Sequence, residues 1–445
     1  MTSSRLSLIF FILSSVFIVF NGGYFARERK FFPYQLYTEA AKGWSEIRPK
    51  KSEELPWFYR YSGKQPSEIV KNINQAQPGL RLVTEIAAER NIVAKIIDLN
   101  GKTVHQWDID WFKLWSNPQH LPKNLVPQTK PGTNIHGAVV MENGDLIFNF
   151  ESKGLIRLDR SGEVIWRLPY LTHHSIHRHD DGNLWVSGTR YHTEKVSRLP
   201  NLNPPFHEET ILEVSPEGKI LREWYVADLL RNSGYTGLLY MGSLNNENTA
   251  IQGDGRLLGN ADILHLNDVE PFSNRMQPGF FQPGDVMVSL RNINTVFVFN
   301  VESEKIKYIS IGQFVRQHDP DFIDGNTFSV FDNNNASEPE PKSKIVIVSA
   351  KDNTSKVFFE GSKDNPFFTR VMGKHQWQPN GNLIITESMP GRGLEIDRQG
   401  KVVWEYMNYV DRSVVGVVGE VQRLPPESAQ IFATGKSDNT IRKTK

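Results

Sequence analysis

The chain contains no cysteine in its 445 residues. That excludes disulfides, thiolate catalysis and cysteine-ligated zinc or iron–sulfur sites. It leaves the compartment open, because exported proteins can also lack cysteine. An excess of one charge sign is missing too. Lys+Arg 51 against Asp+Glu 50 gives a formal net charge of +1, so nothing calls for a nucleic-acid partner. Small residues are lacking where a signal-peptide cleavage site needs them. After Arg5 and the apolar run Leu6–Phe20, positions Phe20, Tyr24 and Phe25 are bulky. Counted through Phe25, the run reaches roughly the 20 residues that span a bilayer. An uncleaved membrane anchor over 1–30 is favoured over a cleaved signal segment. Either reading places the protein at or beyond the membrane; the periplasmic or extracytoplasmic side is expected, although the basic flanks do not settle the orientation.

What is present is enough apolar material for a large core: 39% hydrophobic and 11% aromatic. Residues 31–78 read as a spacer, with helical periodicity from Tyr34 to Ile47. From Gly79 onward a unit recurs: a histidine, a Gly-Asn or Gly-Asp turn, then short β-rich runs. His136 precedes Asn143-Gly144-Asp145, and His174 precedes Asp181-Gly182-Asn183. His265 precedes Pro283-Gly284-Asp285, His318 precedes Asp324-Gly325-Asn326, and His375 precedes Asn380-Gly381-Asn382. Such alternation and punctuation mark consecutive hairpins. With a degenerate opening unit at Arg81–Trp107 there are six units, and periods of about 40–50 residues are those of β-propeller blades. The expectation is an all-β, six-bladed β-propeller over 79–445. Two insertions interrupt it. Tyr191–Glu209 is expected to cover one face, and Asp228–Ala261 to form a short helix and a loop near the channel mouth.

In a propeller the first strand of each blade lines the central channel, so histidines at one repeat position would meet there. His136, His174, His265, His318 and His375 hold that position. His173 and His174 are neighbours, and strict strand alternation would send them to opposite faces. Trp107, Trp166, Trp224 and Trp404 recur at blade ends and read as packing. Asp332 and Asn333 would either position His318 or form the turn after its strand.

His173-His174 before Asp181-Gly182-Asn183, His265-Leu266-Asn267 with Ser289-Leu290-Arg291, Gln317-His318 with Phe331-Asp332-Asn333, and the closing GNLIITES…EIDRQGKVVWEY together resemble the arylsulfotransferase family. The resemblance covers about Gly79 to Tyr406. It implies a six-bladed propeller that moves a sulfuryl group from a phenolic sulfate ester to a phenolic acceptor through a sulfated histidine, without PAPS, cofactor or metal. By that resemblance His318 is the nucleophile, and His265, Asn267 and Arg291 hold the sulfuryl oxygens. His174 is a further channel histidine, and either it or His265 is the base; His136 and His375 are expected to contact substrate. The chemistry is sound on its own terms. Neutral imidazole is a competent nucleophile, a covalent intermediate splits one hard displacement into two, and fixed donors offset charge on the oxygens.

Two other readings remain open. The channel histidines, with Asp268 and Asp319 beside two of them, could bind a divalent ion for hydrolysis or a lyase reaction. A membrane-tethered propeller could also serve binding alone, since this fold hosts many functions.

Overall fold

The structure is a computed structural model. It describes residues 3–29, 55–62, 73–241 (except 201 and 203), 250–251, 257–258, 262–334, and 342–433 (except 364). The helical stretch expected at Tyr34–Ile47 and the loop Asn245–Asn248 lie outside these residues. Two compact units divide the chain, Met1–Pro56 and Trp57–Lys445. In the first, helix α1 (Ser3–Arg29) exposes Phe10, Phe11, Phe17 and Phe20. Among the described residues no helix is long and apolar enough to cross a membrane, so the expected anchor is not shown.

The second unit contains six four-stranded antiparallel sheets. Each has an inner strand, and neighbouring inner strands touch around the ring. In chain order they are β1 (Ile135–Val140), β2 (Leu171–Arg178), β3 (Leu266–Pro271), β4 (His318–Phe322), β5 (Lys374–Trp377) and β6 (Val418–Arg423). Strands β1 to β5 each begin a blade whose other strands follow in sequence. β6 does not. It comes from the end of the chain and completes the sheet of Arg81–Ile86, Ile92–Ile97 and Thr103–Ile109, closing the ring. The degenerate opening unit is therefore a blade whose inner strand lies more than 300 residues later. Tyr59–Tyr61 pairs with Val414–Gly416 just before β6.

The core sits between the faces of adjacent blades. Trp185, Phe206 and Trp224 of the third blade pack with Val286, Phe297 and Phe299 of the fourth, each burial worth about 1.5–3 kcal/mol. The recurring tryptophans add a directional bond. Trp107, Trp166 and Trp404 donate their indole N–H to Asp159, Pro216 and Leu99 carbonyls, each at 3.0 Å. Each acceptor lies in the turn between the third and fourth strands of the next blade. Trp224 instead stacks on Trp185 at 5.3 Å.

The insertions extend the third blade. Tyr191 and His192 end one nine-residue strand, and Phe206 to Glu209 begin its partner. Helix α2 (Trp111–Leu114) follows the first blade. In the second insertion, Val226–Asn232 forms helix α3, with Leu229 and Leu230 buried.

Candidate active site

The inner strands are not regular. Five of the six shift register against their neighbour, at His136–Gly137, His174–Ser175, Asn267, Asp319–Pro320 and Gly419. A bulge re-aims side chains that alternation would send elsewhere. His174, His265 and Asp319 take positive φ of 54°, 53° and 48°, which non-glycine residues adopt only when surroundings enforce it. The expectation that His173 and His174 face apart is corrected by this bulge: their Nδ1 atoms lie 2.9 Å apart. The strands also approach closely. A Cβ on Gly137 would lie 2.2 Å from the His174 carbonyl oxygen, and one on Gly419 2.2 Å from that of Ile135.

These bulges bring four of the five repeat histidines together. The His174 ring centroid lies 4.2 Å from that of His136, 4.9 Å from His265 and 6.1 Å from His318. His375 is not among them. It sits farther along the channel, with Ser329 Oγ 2.6 Å from its Nε2 and Asp319 Oδ2 3.1 Å from its Nδ1.

The tautomer of His318 follows from its partners. Asn333 donates Nδ2 to the Thr369 and Met372 carbonyls, at 3.0 and 2.7 Å. Its Oδ1 must then face His318 Nδ1, at 2.6 Å, and can only accept. Nδ1 therefore carries the proton. Nε2 keeps its lone pair, is buried and has no hydrogen-bond partner. Burial, then the charge of Arg291 and the neighbouring His136, hold the His318 pKa well below the usual histidine value, so the ring stays neutral. Asp332 instead accepts the Val315 and Asn334 N–H groups at 2.8 and 3.1 Å and forms the turn.

His265 Nδ1 is bonded to Asp262 Oδ2, and its Nε2 lies 3.3 Å from His174 Nε2. Burial and the Arg291 charge outweigh Asp262 and depress His265 to about 4. Burial opposes ionisation of Asp262, yet His265 and Arg291 bring it down to about 2. On the other side, His173 Nε2 lies 3.3 Å from Glu209 Oε2. Burial disfavours a charged His173, but Glu209 overcomes it and raises the pKa. The result is one polar chain from Glu209 through His173, His174 and His265 to Asp262. It borders a cavity of about 210 Å³ that also reaches Glu151, Thr189 and His207.

Arg291 donates Nε to Asn292 Oδ1 at 3.3 Å and, among the described residues, has no carboxylate within ion-pair distance. Burial and the nearby Arg316 charge lower it to about 10. Arg316 is itself buried, and its Nε lacks a partner. Two buried cations that, among the described residues, make no ion pair with a carboxylate form a site for an anion. Asn267 commits an amide hydrogen to the Gln317 carbonyl at 2.7 Å, tying β3 to β4 just ahead of His318. His136 meets Glu151 at 3.1 Å, and Glu151 also accepts the His174 N–H at 3.0 Å. His136, Glu151 and His174 lie close enough to hold a metal, but the charge of Arg291 at the same centre opposes a cation.

Sequence reasoning missed Glu151, Glu209, Asp262 and Arg316. Arg316 stands two residues before His318 and Asp262 three before His265, the local signals available. Glu151 and Glu209 come from strands and loops whose neighbours are fixed only by the ring.

The profile of the family described as Arylsulfotransferase (ASST) matches residues 137–409. That is well over half of the chain, and it covers β2 to β5, most of β1, and His174, His265, Arg291, Arg316 and His318 of the site; His136 lies one residue before it. The chain belongs to the arylsulfotransferase family, whose activity is aryl-sulfate sulfotransfer. No curated protein matches it. Among solved structures, a Bacteroides caccae protein of unknown function is 15% identical with a TM-score of 0.46, over 78% of this chain and 98% of that one. Virginiamycin B lyase from Staphylococcus aureus is 10% identical with a TM-score of 0.37, over 80% and 90%. TolB from Acinetobacter baumannii is 12% identical with a TM-score of 0.40, over 77% and 66%.

Proposed function

We propose that the protein transfers a sulfuryl group from a phenolic sulfate ester to a phenolic acceptor, through a sulfohistidine on His318 and without PAPS. In the first half-reaction His318 Nε2 attacks sulfur, the sulfur–aryl oxygen bond breaks, and the phenolate takes a proton. In the second, the acceptor oxygen attacks sulfur, the nitrogen–sulfur bond breaks, and the acceptor proton passes to a base. His265, neutral, oriented by Asp262 and linked to His174, is that base in the second half-reaction, and the departing phenolate takes its proton from solvent. Arg291 and Arg316 hold the sulfuryl oxygens, where charge is greatest in transit. The cavity beside His265 takes the aryl group.

One observation carries this reading. His318 is a neutral, buried histidine whose Nδ1 is anchored by Asn333 and whose Nε2 is unpartnered, as a nucleophile requires.

Extracytoplasmic placement, by export or by attachment through residues 3–29, is part of the same proposal and is supported by the exposed phenylalanines of α1. Alkaline carbonate washing of membranes tests attachment: release of the protein would refute it.

Steady-state assay of the full chain with 4-nitrophenyl sulfate tests the transfer. Release of 4-nitrophenol that depends on added phenol, and is absent in His318→Ala, is the expected result. A His318→Ala variant as active as wild type would remove the nucleophile from the account.

A further inference from the structure

The channel holds a second cluster, farther along the same inner strands than the histidines of the active site. It surrounds a cavity of about 290 Å³. We propose that this cavity binds two divalent transition-metal ions bridged by the Asp319 carboxylate, one on His177, Asp268 and Asp319, the other on Asp319, Asp321 and His375.

The first support is spacing. Within each trio the offered nitrogen and carboxylate oxygens lie within 4.8 Å of one another. Ligands around one ion at about 2.0–2.4 Å can be no more than about 4–4.8 Å apart. His177 Nε2 already stands 3.0 Å from Asp268 Oδ1.

The second is an orphaned acceptor. Asp268 is 0% exposed, and its Oδ2 has no hydrogen-bond partner. A buried carboxylate oxygen without a donor is costly, and a cation held by the Asp268 carboxylate would supply what is missing. His375 repeats the pattern. Its side chain is 0% exposed, and Trp377 Nε1 and His375 Nε2 both meet Ser329 Oγ, at 2.9 and 2.6 Å. In the tautomer whose Nε2–H donates to Ser329, Nδ1 keeps its lone pair and faces Asp319 Oδ2 at 3.1 Å, a separation that two ligands of one ion can have. Metal-binding imidazoles are oriented in this way through their other nitrogen.

The third is charge. Asp268, Glu270, Asp319, Asp321 and Glu420 gather around one lysine, Lys374, which is already engaged with Glu420 at 3.1 Å. With His177 neutral as a ligand, the five carboxylates when ionised exceed Lys374 by four negative charges, the charge that two divalent ions offset. Two imidazoles among carboxylates favour zinc or manganese over calcium or magnesium. The ligands come from β2, β3, β4 and β5, so the ions would clamp four consecutive blades just beyond His318.

The test uses the full chain, stripped with a chelator and dialysed against zinc or manganese. Metal content and thermal unfolding are the readouts, which do not depend on any activity. Two ions retained per chain, with a Tm rise of about 5 °C at a hundredfold excess over Kd, are expected. Asp319→Asn should lose both ions; Asp268→Asn and Asp321→Asn should each lose one, and they carry the test if Asp319→Asn does not fold. An unchanged Tm with no metal retained would overturn the proposal. So would retention that is the same in wild type, Asp268→Asn and Asp321→Asn, or tighter binding of calcium than of zinc or manganese.

Discussion

At the scale of single residues, the account rests on how one nitrogen is kept free. The Asn333 amide is oriented by two backbone carbonyls, and its oxygen then dictates the His318 tautomer. Asn333→Ala removes that acceptor without touching Nε2. It should slow the first half-reaction about 10- to 100-fold, the range for loss of one positioning partner, with far less effect on KM. Rapid-mixing measurement of the 4-nitrophenol burst reads this directly. The pH dependence has a definite sign. Because the His318 pKa is depressed, by burial first and then by Arg291 and His136, the reactive neutral form persists as pH falls below 6.5. His265, at about 4, also stays neutral there. The burst rate constant should therefore be flat from pH 8 to about 5.5. A half-loss near pH 6.5 would show an ordinary exposed histidine in charge. Arg291→Met should lower kcat by about 10²–10³, the usual effect of removing one charge-stabilising donor, with the fold retained by circular dichroism.

At the scale of elements, the bulges separate what the sequence makes legible from what it hides. The repeat position of His136, His174 and His318 is visible as a short spacing, up to eight residues, from a turn glycine, whereas His265 stands nineteen residues before Gly284; the structure brings these four together. His375 has the same spacing but starts a regular strand, whose register against Leu383–Glu387 does not shift, and it lies with Asp319. Alternation misled the reading of His173 and His174, because a left-handed residue inside a strand leaves no mark in the sequence. Asn333 and Asp332 could not be told apart either, since both suit a turn and only tertiary carbonyls single out Asn333. Close strand approach explains Gly137, which no repeat argument singled out. Gly137→Ala forces a methyl against the His174 carbonyl and should cost about 1–3 kcal/mol, as overpacking does. Urea unfolding measures it, and a companion loss of turnover should follow from displaced His174. The blade-end tryptophans were read as packing, and the structure adds an inter-blade hydrogen bond. Trp404→Phe keeps most of the volume and loses the bond to Leu99, a cost of about 1 kcal/mol.

At the scale of the whole molecule, six repeats announced the ring, but not how it closes. The closing strand β6 reads VGEVQR and carries no histidine, so the repeat signal ends before it. Only its pairing with Arg81–Ile86 reveals its place. Glu420 on β6 reaches the Ala138 N–H at 3.1 Å and Lys374 at the same distance, which joins the last blade, the first and the second. Truncation after residue 413 removes β6 and should abolish cooperative unfolding of the entire ring, whereas truncation after residue 433 should leave it intact. Calorimetry of the two proteins distinguishes these outcomes. The acids Glu151 and Glu209 were invisible for a related reason: they reach the histidines from separate strands or loops and have no fixed spacing from them, whereas Asp262 stands only three residues before His265.

The most direct test of the central claim is to locate the sulfuryl group itself. The full chain is mixed with 4-nitrophenyl sulfate in the absence of acceptor, quenched at alkaline pH, and digested for mass spectrometry. The account predicts one sulfuryl group per chain, on the peptide containing His318, discharged when phenol is added before the quench. A group found on His265 or His174 instead, or turnover with no adduct at any time, would contradict it.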